Sequence, residues 1–261
     1  MSEEYRKFKQ ESADEIRAQG EDRELAKATR TWINQANRNK YSYHFEWMGR
    51  PIIQYPQDIV AMQELIWHVR PDLIIETGIA HGGSLVFSAS ILALLDLAEA
   101  MEADKSFSAH ESTRKVLGID IDIRAHNRAA IEAHPFSRYI ETIEGSSVDL
   151  DVAEKVKALA KGYQRILVCL DSNHTHDHVL KELELYAPLT STKSYCVVFD
   201  TIIEDLPEDM FPNRPWGPGD NPKTAVREYL KTHPEFEIDK HIQDQLLITV
   251  APDGYLRRVT D

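Results

Sequence analysis

The sequence predicts an α/β fold: a doubly wound, mostly parallel sheet with an antiparallel closing strand and an N-terminal helical arm. Three observations predict it. Short apolar runs alternate with helical patterns along most of the 261 residues, and the last two runs lie next to each other. Arg165–Asp171 (RILVCLD) and Tyr195–Asp200 (YCVVFD) are apolar without alternation, as strands covered on both faces are. Pro71–Ser90, PDLIIETGIAHGGSLVFSAS, passes from an apolar run through glycines into a long apolar segment. That is the order of a buried strand, a tight turn and a helix.

Met1–Asn39 is rich in Glu, Lys, Arg, Gln and Ala, and Ile16, Leu25, Ala26, Trp32 and Ile33 form a thin apolar stripe. We read it as a helical arm that packs on the domain or meets a partner subunit, giving a homo-oligomer. Tyr41–Tyr55 is aromatic and broken by Gly49 and Pro51, so irregular pieces are expected, either plugging the sheet or walling a pocket. Residues 1–56 are thus an arm and linker, and residues 57–261 are the main domain.

Asp58–Val69 reads as an amphipathic helix stopped by Pro71 before the central strand. After the central helix, Glu99–Arg114 reads as a surface loop and Val116–Ile121 as the second strand. Ala125–Ala133 (helix), Tyr139–Glu144 (strand) and Val152–Ala160 (helix) follow, then strand Arg165–Asp171 and a helix reaching about Tyr186. Strand Tyr195–Asp200 leads into Leu206–Asn221, a proline-rich stretch of the kind that forms lids. Asn221-Pro222 starts a helix, and Phe236–His241 with Leu246–Ala251 reads as a closing pair of strands.

The formal net charge is -13, a poor match for nucleic acid or an anionic membrane surface. The 2 cysteines, Cys169 and Cys196, fall inside core strands, with neither a disulfide framework nor zinc spacing. Met1–Gly20 is charged and polar, unlike a signal peptide, and no apolar run reaches the length of a membrane span. A cytoplasmic protein with no membrane span is expected.

Chemistry concentrates at strand ends. The central turn reads E-T-G-I-A-H-G-G-S, and Glu76 sits where a phosphate-binding loop would avoid negative charge. A carboxylate there suits a cationic ligand bearing an ammonium or a sulfonium; the plainer alternative is a helix-capping acid. Asp120, and after it Asp122, ends the second strand, where acids commonly bind ribose hydroxyls. Asp171 and Asp200 end two buried strands in the same crevice, and such carboxylates ionise together cheaply only around a cation. Oxygen ligands favour a hard ion such as Mg²⁺, with Glu204 and Asp205 close enough to contribute. His174 is the candidate base. His174 and His178 stand at helical spacing, but H-E-x-x-H is missing, and His176 and His178 read as helix-surface residues.

With these residues in hand, the chain resembles the family named after cephalosporin hydroxylase, which is related to macrolide and rhamnosyl sugar O-methyltransferases. The resemblance rests on IIETGIAHGGSLVFSAS, LGIDIDIR, LDSNHTHDHVLKELELY, VVFDTIIEDLP and PWGPGDNPKTAV, and covers roughly Trp47 to the end. It implies a Rossmann-like class I methyltransferase that uses S-adenosylmethionine and Mg²⁺ on a small-molecule or glycan acceptor. Carried over, Glu76, Gly78, Ala80, Ser84, Asp120 and Ser147 would hold the cofactor. Asp171 and Asp200 would hold the metal, and His174 would be the base. One position departs: related sugar enzymes carry Glu-Asp where this chain has Phe199-Asp200, so one metal ligand is either missing or supplied by Thr201, Glu204 or Asp205. Two other readings stay open: an oxygenase component, as the family name suggests, and a cofactor-binding scaffold without catalysis.

Overall fold

β3 (Leu73–Thr77) is the axis of the structure, a computed structural model that describes residues 2–260. All five of its residues are buried, and it pairs in parallel with β4 (Lys115–Asp120) and β6 (Ile166–Leu170). β5 (Ile140–Glu144) extends the sheet beyond β4, and β7 (Tyr195–Val198) beyond β6. Antiparallel β9 (Tyr255–Arg258) and β8 (Phe236–Ile238) complete the order β5-β4-β3-β6-β7-β9-β8. The order reverses between β4 and β6 around β3, so the crevice opens at the C-terminal ends of these strands.

Alternate residues of the central strands enter two apolar clusters. Ile74, Leu167, Cys169 and Val197 face α3 (Pro56–Val69) and α4 (Gly83–Glu102). Leu73, Ile75, Val168 and Cys196 face α6 (Leu150–Ala160), α7 (His176–Tyr186) and α8 (Pro222–Tyr229). α5 (Ala125–Glu132) links β4 to β5. Both faces are covered, which explains why these strands are apolar throughout. Removing one core side chain, as in Leu92→Ala, costs about 2–5 kcal/mol. Both cysteines are buried thiols within strands.

α4 corrects one expectation: by length and composition alone it could cross a membrane. Leu85, Val86, Leu92 and Leu95 have zero exposure in the fold, the environment of a core helix. The same helix runs to Glu102, and the segment behind it ends at Arg114, which is buried and ion-paired with Asp96 and Glu99.

The arm is two helices, α1 (Glu3–Glu21) and α2 (Arg23–Arg38), divided at Asp22. Asp22 accepts hydrogen bonds from the N–H groups of Glu24 and Leu25, so it starts a new helix instead of continuing the first. α1 has no buried residue and touches its own chain through Gln19, which donates to the Asp244 carbonyl. α2 buries Ile33, and Trp32 stays half-exposed with its ring edge against Tyr41 and Tyr55. The linker forms a 3₁₀ turn, Tyr41–His44, and a hairpin of β1 (Phe45–Trp47) and β2 (Arg50–Ile52). Ile52 and Tyr55 belong to the cluster of α3 and α4.

The closing strands are the main correction. Residues 246–251 are not a strand; the chain makes α9 (Lys240–Leu246) after β8 and closes the sheet with β9. Asp239 starts α9 by accepting from the His241 N–H, and Leu247 ends it at a φ of 59°. The Val250 N–H, a ladder donor in a strand, goes instead to the Asp58 carboxylate, fully buried on α3, and the Thr249 hydroxyl donates to the same group. The Tyr255 hydroxyl donates to Asp58 as well, 2.7 Å away.

Candidate active site

The turn after β3 is a close meeting of two strand ends. Gly78 has a φ of +87°, and a Cβ there would lie 2.0 Å from the Asp171 carbonyl oxygen, so only glycine lets the β3 and β6 turns touch. Asp120 holds the turn from the side: one carboxylate oxygen accepts from the Ile79 N–H (2.8 Å) and Ala80 N–H (3.4 Å), the other from Asp122 (3.1 Å). Asn127 donates to the Ala80 carbonyl at 2.9 Å. Glu76, 4% exposed, accepts a hydrogen bond from Ser84 in the first turn of α4. Burial lifts its carboxyl to about 7 against the pull of that hydrogen bond.

A cavity of about 290 Å³ opens over this turn. Gly78, Ala80, Ser84 and Asp120 line it together with Asp171, His174 and Asp200, and Tyr43, Tyr55, Phe211 and Trp216 add aromatic lining. The aromatic linker therefore both plugs the core and walls the cavity. The proline-rich segment contributes Trp216, whose ring meets His174 edge-on at 5.6 Å.

Asp171, His174 and Asp200 each offer a ligand atom, all within 4.8 Å of one another. The His174 Nε2 lies 3.1 Å from Asp200, which takes a φ of +55° just after β7. Burial, then the charges of Asp200 and Glu76, pushes the Asp171 carboxyl well above the usual carboxylate range. None of the three is paired with a lysine or arginine among the described residues.

Other candidates lie elsewhere. Glu204 accepts from the Gly219 N–H at 2.8 Å and Asn221 Nδ2 at 2.6 Å, and faces Arg227. Burial works to raise its pKa, but these bonds win and lower it. Asp205 pairs with buried Lys223 at 2.5 Å. Neither joins the carboxylates at the strand ends, because their own chain already supplies their cations. Phe199 is a core residue, so no carboxylate precedes Asp200.

Ser147 is buried away from the cavity; its hydroxyl meets His178 Nε2 at 3.1 Å and its carbonyl accepts from Tyr186 at 2.6 Å. His178 also meets Ser172 at 3.2 Å, and His176 binds Thr224 of α8 at 2.8 Å. Both histidines are packing residues rather than surface ones. α7 begins only at His176, so His174 lies in the preceding loop and never shares its helical face with His178. Gln54, which the sequence pattern did not flag, donates to Asp171 Oδ2 at 3.2 Å. Its one signal is position: it stands two residues before the helix-starting Pro56.

Comparison with known proteins agrees with this architecture. A family model described as Rhamnosyl O-methyltransferase/CmcI matches residues 39–259. Curated rhamnosyl O-methyltransferases of Mycobacterium tuberculosis and Mycobacterium leprae are 31% and 29% identical over 214 residues. The matches cover 81% of this chain and 77% and 82% of the relatives. A solved CmcI structure with Mg and SAM superposes with a TM-score of 0.53 at 18% identity, over 84% of this chain and 78% of that one. The apo TDP-rhamnose 3'-O-methyltransferase of calicheamicin biosynthesis gives 0.51 at 16% identity, over 78% and 79%. These two likenesses establish the shared fold.

Proposed function

The chain belongs to the Rhamnosyl O-methyltransferase/CmcI family, and on that premise we propose that it is an S-adenosylmethionine-dependent O-methyltransferase. Its acceptor is a hydroxyl of a sugar or glycoside, and a divalent cation assists. The observation that carries this reading is the juxtaposition in one cavity of the glycine turn and Asp120 with Asp171, His174 and Asp200.

The residues suit both groups. Glu76 is a buried carboxylate without a cationic partner among the described residues, the surroundings an ammonium needs. Gly78, Ala80 and Ser84 would hold the amino-acid end and Asp120 the ribose, while Ser147, outside the cavity, would act only through the packing of His178 and Tyr186. Asp171 and Asp200 would hold the cation. Their crowding leaves Asp171 hard to ionise in an empty site, and a cation removes that cost. S-adenosylmethionine supplies the methyl group, and Mg²⁺ supplies positive charge that lowers the pKa of the acceptor hydroxyl.

His174 takes the proton. With Nε2 donating to Asp200, Nδ1 is the basic nitrogen, and Trp216 restrains the ring. The cavity aligns the acceptor oxygen for attack, which accounts for much of the acceleration in a transfer of this kind. A second reading has its own observation: His174 lies close enough to both aspartates to be a third ligand, which would suit Mn²⁺ better than Mg²⁺.

The setting is the cytoplasm, and residues 1–56 are an arm through which copies associate, with Tyr5 and Phe8 of α1 exposed for contact. Titration calorimetry tests the cofactor. S-adenosylmethionine should bind, and Asp120→Ala should weaken it by about 1–3 kcal/mol. Tighter binding of NAD would overturn the reading.

A further inference from the structure

Gln54 is 7% exposed, and its amide donates to Asp171 Oδ2 at 3.2 Å. Its carbonyl oxygen is buried with no partner. Once a cation holds Asp171 ionised, that carboxylate only accepts hydrogen bonds, so the Gln54 NH₂ faces Asp171 and the carbonyl faces away. A buried acceptor left unpaired costs free energy, and in a native site it marks a missing donor. The same side chain lines the main cavity and a recess of about 30 Å³ behind it, which it shares with Glu76, Ser84 and Asp171.

We propose that Gln54 is a positioning residue of the cofactor site, its carbonyl accepting a hydrogen bond from the ammonium of the cofactor while its NH₂ aims Asp171. This rests on the proposed cofactor and deepens it. An ammonium carries three N–H donors and no acceptor, so it needs more than one oxygen. Glu76 gives part of its capacity to Ser84, and the Gln54 carbonyl at the same recess is a buried oxygen with no partner. The amide thus joins the two halves of the site. One end reads the positive ligand beside Glu76, and the other orients a carboxylate that would hold the cation.

The test compares S-adenosylhomocysteine, which has the ammonium, with methylthioadenosine, which lacks the amino-acid end. Both are titrated calorimetrically into the full chain. Gln54→Met removes the carbonyl at similar volume and should weaken S-adenosylhomocysteine by about tenfold or more. Methylthioadenosine should be unchanged. Gln54→Glu keeps an oxygen in place and should retain S-adenosylhomocysteine within about threefold, while weakening Mg²⁺ titrated into that complex if the NH₂ matters to Asp171. A role in packing alone predicts equal loss for both nucleosides and overturns the proposal. So does unchanged S-adenosylhomocysteine binding by Gln54→Met. If Gln54→Met does not fold, Gln54→Asn, which withdraws the carbonyl by one methylene, must show the same selective loss. No binding of either nucleoside by the unsubstituted protein overturns the cofactor reading itself, and this proposal with it.

Discussion

Asp171 and Asp200 can be set against Glu204 and Asp205. All four are acids near the ends of buried strands, and Asp200 and Glu204 share one short stretch of chain. Glu204 and Asp205 find Arg227, Lys223, Asn221 and a backbone N–H. Asp171 and Asp200 find a histidine, an amide and each other's charge. One pair is neutralised by its own chain; the other has no lysine or arginine partner among the described residues. Acidity alone does not separate the two pairs; the proposed site rests on the carboxylates in the cavity that have no cationic side chain beside them.

The contrast breaks most visibly in turnover. Chelation, Asp171→Ala and Asp200→Ala should each cost about 10³-fold or more, since cation assistance supplies several kcal/mol of barrier lowering. Cofactor binding should persist, and Mg²⁺ should restore the chelated enzyme. Asp171→Asn should meanwhile raise the thermal midpoint at alkaline pH, because it removes a charge that burial penalises. Full turnover after chelation, with metal analysis showing an empty protein, would refute cation assistance.

His174→Ala should lose about 10²–10⁴-fold in rate, the usual size of general-base catalysis. His176→Ala should leave kcat nearly unchanged, since its ring serves α8 through Thr224. Equal losses from both would show that the loop, not the base, had been damaged.

The pH dependence of stability should carry opposite signs for the two groups. Glu76 has its pKa raised to about 7, so its contribution is complete below the ordinary carboxylate range and is lost as pH rises through 7, by up to about 3 kcal/mol. Glu204 has a lowered pKa, so its contribution is present above the ordinary range and is lost as pH falls. Denaturant midpoints across pH 4–9 for the parent and Glu76→Gln check this; an unaltered profile in Glu76→Gln would remove Glu76 as the source.

The smallest effect belongs to the neutralised pair. Asp205→Ala should destabilise the fold by about 1–3 kcal/mol, because it strips buried Lys223 of its nearest charge partner. The rate of the folded fraction should stay the same. A rate loss with unchanged stability would mean that Asp205 serves the site after all.

The alternation of apolar runs with helical patterns determined the doubly wound sheet, because side-chain period and burial are local properties written in residue order. It also determined that Glu76, Asp120, Asp171 and Asp200 stand at the crevice, because parallel strands in such a sheet end on one side. The closing strands were not legible in the same way. Residues 246–251 look like a strand, but Asp58, far away in the chain, claims Thr249 and Val250. Nor could residue order separate Glu204 and Asp205 from the strand-end acids, place Ser147 behind the site, or single out Gln54. Those outcomes depend on which donors and acceptors arrive from α3, α7 and α8. Only the tertiary structure decides that, because a hydrogen bond or ion pair is satisfied by proximity in space, whatever the separation in sequence.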